Sequence, residues 1–480
     1  MTDRLSLKQH YVIVIVLFSA IIALCYCQPV VRLLSKVPID PNEGWNAFNS
    51  NHLRKGEPLY PPYDTLISNN YPPLSFYLNA SLATLLGDDI LAGRVLSLIS
   101  LLAVAGVLGA CVVEMGGRGA EAVIMSLFFL AFIAMFADHY IGMADPQWFS
   151  HAVQLSGFYL LLKSRNRGTL FYLSILMMVT SGFIKQNLIV LPLAVFLWLF
   201  VCDRAAIVRF SVAALSAVCF FLFSFTMIHG VDFLRGLFLD QREWHLETVA
   251  KAIGRQFNKL MAVLLLGVSG CVLLPKSGTL ILLSFYFILA CLWGAFIYGG
   301  SGVDVNALFD VVIAAVLIGG VLLRHADRVE CRNQGRTSRF SVLILAVLVV
   351  ALVVPLSYEL VKAREFWKTR ERVIESVAED IRYLSDVHGP AMCESLALCY
   401  WAGKKFEGND FMTRQKIRTG LIDRWKLTDL IESRYFSVIQ INNDNGKSDR
   451  FDDVVNSAIH NNYRIDRKSP YRGVFLVTNK

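Results

Sequence analysis

Asp40, Glu43 and Asp145 are the residues whose types and spacing can do chemistry in this chain. The first two stand three apart in Val37-Pro38-Ile39-Asp40-Pro41-Asn42-Glu43-Gly44-Trp45, and the third precedes a proline in Met143-Ala144-Asp145-Pro146-Gln147-Trp148. Asp at the N-cap, Pro at the first helical position and Glu two places later form a capping pattern, so each Asp-Pro is first of all a helix start. The two readings are compatible, because a helix start puts Asp40 and Glu43 on one face. There, one carboxylate can take a proton while the other orients a substrate or holds a cation. A carboxylate near a helix N-terminus stays ionised, which suits Asp145 to binding a cation or a hydroxyl proton rather than to acid catalysis. If a divalent metal takes part, Asp40 and Asp145 are its candidate ligands.

Further side chains of useful chemistry lie nearby in sequence. Trp45 follows the first carboxylates, Tyr71 opens Tyr71-Pro72-Pro73-Leu74, His139 and Tyr140 share a short loop with Asp145, and Lys185 ends Gly182-Phe183-Ile184-Lys185. Between 229 and 258, Arg235, Arg242 and His245 are interleaved with Phe233, Leu237 and Trp244. That amphipathic mixture suits a phosphate carrying a lipid tail, and equally a surface helix snorkelling its cations among headgroups. Gly299-Gly300-Ser301-Gly302-Val303-Asp304-Val305-Asn306 is a glycine turn whose backbone amides can meet an anion.

The elements that must hold these residues are membrane helices. The 480 residues are 55% hydrophobic and 12% aromatic, with a mean hydropathy of +0.50, too apolar for an ordinary soluble protein. Apolar runs near 11–27, 92–113, 120–137, 147–163, 169–183, 188–202, 207–228, 259–274, 278–298, 305–323 and 340–357 predict about eleven spans in a mainly α, polytopic fold. Arg4 and Lys8 before the first run put the N-terminus in the cytoplasm. The Lys163, Arg165, Arg167 loop and the Arg324, Arg328, Arg332, Arg336, Arg339 loop then fall on that same side, as positive residues should. The consequence is that the first loop, about 35–91, and every other segment with chemical character face the extracytoplasmic side. The net charge of +8 is spread over such loop clusters, which argues against nucleic acid as a partner.

The sequence divides near residue 357. Charged residues become frequent after it; 358–386 reads as a polar helix leaving the membrane, and the rest as a small α/β domain, with strands at 436–441, 463–465 and 473–477 and a helix over 452–460. Its default role is support or acceptor binding. Of the ten cysteines, most fall in apolar runs. Cys393 and Cys399 alone share a polar region, but six residues apart on one helix they would face different ways, which does not favour a disulfide.

Taken together, Asp40 and Glu43, Gly56 and Tyr60, Tyr71-Pro72-Pro73-Leu74 and Arg94 resemble the first extracytoplasmic loop of GT-C glycosyltransferases. More specifically, they resemble the bacterial glycosyltransferase family 39-like group that includes protein mannosyltransferases and lipid A aminoarabinose transferases. The resemblance extends over roughly residues 5–325, with Asp145 matching the acidic residue of the second loop, Lys185 ending a Gly-x-x-Lys, and Asn306 matching an Asn of bacterial members. It implies a GT-C-like catalytic domain over 1–357 and a less widely shared domain over 358–480. The implied activity is inverting transfer of a sugar from a polyprenyl-phosphate donor to a glycan, lipid or protein acceptor, at the outer face of a bacterial inner membrane. That family carries adjacent Asp-Glu where this chain has Asn42-Glu43, which makes Asp40 the favoured base and Glu43 its rival. A transporter or lipid flippase is the alternative, but polar residues in mid-span and paired broken helices, which it would need, are not evident.

Overall fold

The computed structural model describes residues 7–240, 242–332 and 339–479. Arg4 and Arg336, and the side chains of Arg332 and Arg339, lie outside the described residues. The chain begins with α1 (Leu7–Leu33), followed by two helices in the first loop, α2 (Pro41–Lys55) and α3 (Leu74–Leu86). Next come α4 (Asp89–Glu114), α5 (Gly119–Phe136), α6 (Gln147–Ser164), α7 (Gly168–Ile184), α8 (Val190–Cys202) and α9 (Arg204–His229). After the short α10 (Val231–Leu239) come α11 (Leu246–Leu273), α12 (Gly278–Ile297), α13 (Phe309–Arg332) and α14 (Arg339–Asp386).

Each expected span is helical, and eight of the described helices are long and apolar enough to cross a membrane by themselves. The other three differ for identifiable reasons. Helices α7 and α8 have 17 and 13 residues, and α6 turns Gln147, His151 and Gln154 inward as it packs between α4 and α7. The fold is that of a multi-pass membrane protein. Its main core runs through α5, α13 and their neighbours, where Phe128, Phe129, Trp148 and Phe309 are fully buried.

The last span and the polar helix expected after it are one element. The 48 residues of α14 run without a break through Pro355, roughly 70 Å at 1.5 Å per residue, more than twice a hydrocarbon core. Beyond it lie β1 (Ala391–Cys393), α15 (Leu396–Trp401), α16 (Asp410–Arg418), α17 (Trp425–Glu432), β2 (Val438–Ile441), α18 (Asp453–Asn462), β3 (Tyr463–Lys468) and β4 (Val474–Thr478). The sheet order is β1-β2-β4-β3, with β1 parallel to β2 and the other pairs antiparallel.

Cys393 and Cys399 form a disulfide, with Cα atoms 6.1 Å apart, contrary to the sequence expectation. They are not on one helix: Cys393 ends β1 and Cys399 lies in α15, and the turn between them brings the sulfurs together. The turn presses on α2, since a Cβ at Gly44 would stand 2.3 Å from the backbone nitrogen of Ala397. The first loop and the C-terminal elements therefore share one buried cluster, in which Phe48 stacks on Phe406 at 4.8 Å. Hydrogen bonds fasten its edges. Tyr400 donates to Asp89 at 2.7 Å, Trp401 donates to Asp88 at 2.9 Å, and Lys416 Nζ donates to the carbonyls of Tyr63, Thr65 and Ile67.

Candidate active site

Asp40 opens α2 as its N-cap, with an extended backbone and Oδ1 accepting from the Asn42 amide at 2.8 Å. Glu43 reaches back to the Ile39 amide at 2.8 Å, but its main partner is Arg94. Arg94 Nε and Nη2 donate to its two oxygens at 2.8 and 2.7 Å, and the Ala144 amide adds a third contact at 3.1 Å. The remaining Arg94 donors go to the carbonyls of Leu33, Ser35 and Val37. Both side chains are buried, so this bidentate pair ties the end of α1, the first loop and the Asp145 loop into one rigid knot. Glu43 has no oxygen left over. Burial pushes the Asp40 carboxyl up to about 6, with the Asp145 and Glu43 charges adding to the rise.

Asp145 sits just before α6 and accepts from the Gln147 amide at 2.8 Å. Its Oδ1 also takes Lys185 Nζ at 2.5 Å, and both groups are buried. Burial opposes the Lys185 charge, but Asp145 and the nearby Tyr71 outweigh it and raise its pKa. Lys185 also lies 5.0 Å from the centre of the Tyr71 ring. Among the described residues, no three His, Cys, Asp or Glu side chains are grouped as a metal ion needs.

Two polar cavities meet here. One, of about 230 Å³, is lined by Asn42, Tyr71, Asp145, Lys185, Arg242 and Asn306 among others. The other, of about 190 Å³, is lined by Asp40, Trp45, Tyr71, Arg242, Asp410 and Arg450 among others. They share Asn42, Asn70, Tyr71, Arg242, Gly302 and Asp304. Trp45 is fixed by its indole N–H on the Ser68 carbonyl and by the edge-on Tyr71 ring 4.8 Å away. Asn306 donates to Gln147 at 3.0 Å. Arg242 donates to the carbonyls of Ser301 and Gly302 and lies over the Phe411 ring, and among the described residues no carboxylate pairs with it.

His139 closes the wall beside Asp304. Its Nε2 is 2.8 Å from Asp304 Oδ2 and its Nδ1 is 3.9 Å from Asp138. Burial alone would lower its pKa, but the two carboxylates overcome that and lift it to about 9. On its other side opens an apolar cavity of about 950 Å³ between α5, α11 and α14. Phe132, Leu265, Ala346 and Val350 are among its walls, and Asp138, His139, Lys259 and Lys362 are at its rim.

The structure thus gathers Asp40, Asp145, Trp45, Tyr71, Lys185, Arg242 and Asn306 around the joined cavities, with His139 at their border. Glu43 lies behind them. Two sequence candidates are elsewhere: Arg235 pairs with Asp232 at 3.1 Å and covers the Tyr63 ring, and His245 caps α11, neither lining either cavity. Arg235 lies in α10 and His245 at the start of α11, and of the three only Arg242, in the loop between those helices, lines the cavities. Sequence reasoning missed Asp304, Asn409, Asp410, Phe411 and Arg450. The Gly302 turn was visible, but not its cause: at φ +71° it lets Phe411 pack where a Cβ would come within 2.5 Å.

No family model matches the chain, and no curated protein matches it. Solved structures do. ArnT from Cupriavidus metallidurans bound to undecaprenyl phosphate superposes with a TM-score of 0.62 at 14% identity, over 96% of this chain and 97% of that one. The chain shares the fold of ArnT. The apo state of the same protein gives a TM-score of 0.61 at 13% identity, over the same shares of both chains. At this identity the likeness to ArnT concerns architecture, and the near-complete coverage of both chains includes the C-terminal elements.

Proposed function

We propose that this protein is a membrane glycosyltransferase that moves a sugar from a polyprenyl-phosphate donor to an extracytoplasmic acceptor. The observation that carries the reading is adjacency: His139, on the wall of an apolar cavity of about 950 Å³, pairs with Asp304, on the wall of the polar space that holds Asp40, Lys185 and Arg242. A lipid chain fits the first and a sugar phosphate the second. That the ArnT structure is bound to undecaprenyl phosphate supports the same assignment.

In this reading Asp40 takes the proton from the acceptor hydroxyl as its oxygen bonds to the anomeric carbon. The bond from that carbon to the phosphate oxygen breaks on the opposite side, inverting the configuration. The leaving phosphate gains charge, and Arg242, with no carboxylate partner among the described residues, and Lys185 are the cations that meet it. Glu43, saturated by Arg94, positions Asp40 without touching substrate. Asp145 neutralises Lys185 and fixes its ammonium. The Cys393–Cys399 disulfide supports an oxidising, extracytoplasmic setting for this face and for the C-terminal elements. The loop cations at Lys163, Arg165 and Arg167 support the cytoplasm for the opposite face.

The test uses full-length protein in nanodiscs with a panel of polyprenyl-phosphate sugars, following release of polyprenyl phosphate. Asp40→Asn should lower release by about 100-fold or more while the lipid still binds. Undiminished release in Asp40→Asn, or no lipid binding by the wild type, would overturn the reading.

A further inference from the structure

The cavity of about 190 Å³ on the Asp40 side is walled partly by the C-terminal elements, through Asn409, Asp410, Phe411, Met412 and Arg450. Asp410 is buried, yet it does not cap α16, because Asn409 already does so by accepting from the Met412 amide at 2.9 Å. Its ion pair with Arg450 spans 3.6 Å, looser than the 2.7 Å of Arg94–Glu43 or the 2.5 Å of Lys185–Asp145. A buried carboxylate met by its own and the Phe411 amide, with its cation held off at 3.6 Å, still has lone pairs to offer a group in the cavity.

Resting on the glycosyl-transfer reading, we infer that this cavity is the acceptor subsite and that it takes a neutral sugar ring whose hydroxyls are held by Asp410 and Arg450. Two features set the ligand class. The first is charge: the carboxylates of Asp40, Asp304 and Asp410 are matched by Arg242, Arg450 and His139, which pairs with Asp304 at 2.8 Å. An acceptor carrying phosphate or carboxylate would find no surplus cation here once Arg242 meets the donor phosphate, and both guanidiniums also lie over the Phe411 ring, at 5.5 and 5.8 Å. The second is shape and chemistry. A space of this size admits one ring rather than a folded peptide segment. Its walls alternate aromatic surface, from Trp45 and Tyr71, with carboxylates, amides and guanidiniums, which both accept and donate. A sugar ring presents the matching pattern of apolar C–H face and hydroxyl edge. Burial pushes the Asp410 carboxyl up to about 7, so near neutral pH it is divided between its accepting and donating forms.

Saturation-transfer NMR on full-length protein in nanodiscs tests this with three probes: methyl β-glucoside, glucose 6-phosphate and a Ser/Thr peptide. The expected result is saturation of methyl β-glucoside above the other two, falling at least five-fold in Asp410→Asn and in Arg450→Lys, with polyprenyl phosphate still bound by both variants. Preference for the phosphate or the peptide, or an unchanged methyl β-glucoside signal in either folded variant, overturns the inference. Lipid binding separates the two levels: a wild type that binds the neutral glycoside but no polyprenyl phosphate sinks the donor reading alone.

Discussion

Of the two carboxylates at the start of α2, Arg94 pairs with Glu43, and that pairing is the ground on which we propose Asp40 as the base. Glu43 and Arg94 form a buried bidentate pair, and breaking such a pair costs roughly 3–5 kcal/mol. A base that lost and regained its charge at every turnover could not carry that cost, whereas Asp40 has one amide partner and borders the cavity. In the proposed mechanism Asn42 stands where the family has aspartate but donates its backbone amide to the Asp40 cap and lines both cavities. Two titrations then frame the activity. Below about 6 Asp40 holds a proton and cannot accept another, so kcat/KM should rise as pH increases through that value. Above about 9 His139 loses its proton and the border loses a cation, so activity should fall. A bell-shaped profile of transfer against pH is expected. Asp304→Asn, which removes a carboxylate that raises His139, should move the falling limb to lower pH and leave the rising limb in place. A rising limb that stays put in every variant except those touching Asp40 would confirm the assignment; a flat profile from pH 5 to 8 would refute it.

Helix α2 is steadied from the far end of the chain. Its start was legible, because Asp-Pro-x-Glu is a local pattern and local capping physics fixed it. Its support was not, because the turn from Cys393 to Cys399 lies about 350 residues away, and nothing in either stretch announces the other. The disulfide was misjudged for the same reason: the sequence suggested one helix, whereas a strand end and a helix meet. Closing so short a loop is worth about 2 kcal/mol. The turn it shapes lies against Gly44, next to Glu43. Cys393→Ser with Cys399→Ser should therefore lower the thermal midpoint of the full-length protein and, more tellingly, lower kcat while the lipid remains bound. An equal midpoint and an equal kcat in the paired variant would show that the turn holds its shape without the bond.

At the scale of the molecule, the spans were readable from hydropathy alone, since a bilayer demands long apolar helices whatever they do. The cavities were not, because each is assembled by side chains from segments hundreds of residues apart, such as Asp40 with Arg450 or His139 with Lys362. Helix α14 gives this assembly its axis: its first part walls the apolar cavity, Glu359 and Lys362 stand at the rim, and its end leads into the C-terminal elements, whose α16 and Arg450 wall one polar cavity. In the proposed reading, one continuous helix thus links the lipid groove to the elements beside the acceptor cavity. The groove can be filled without touching the polar residues. Ala346 faces it from α14, and replacing it with Trp would place an indole where a lipid chain is expected, adding apolar surface to an existing void rather than overpacking a full core. The thermal midpoint of Ala346→Trp should hold or rise. Polyprenyl phosphate extracted from the purified variant and quantified by mass spectrometry should fall at least ten-fold. Asp40→Asn should behave in the opposite way, keeping its lipid while losing transfer. If Ala346→Trp retains wild-type lipid and wild-type transfer, the apolar cavity is not the donor's path, and the lipid must enter from another side of the fold.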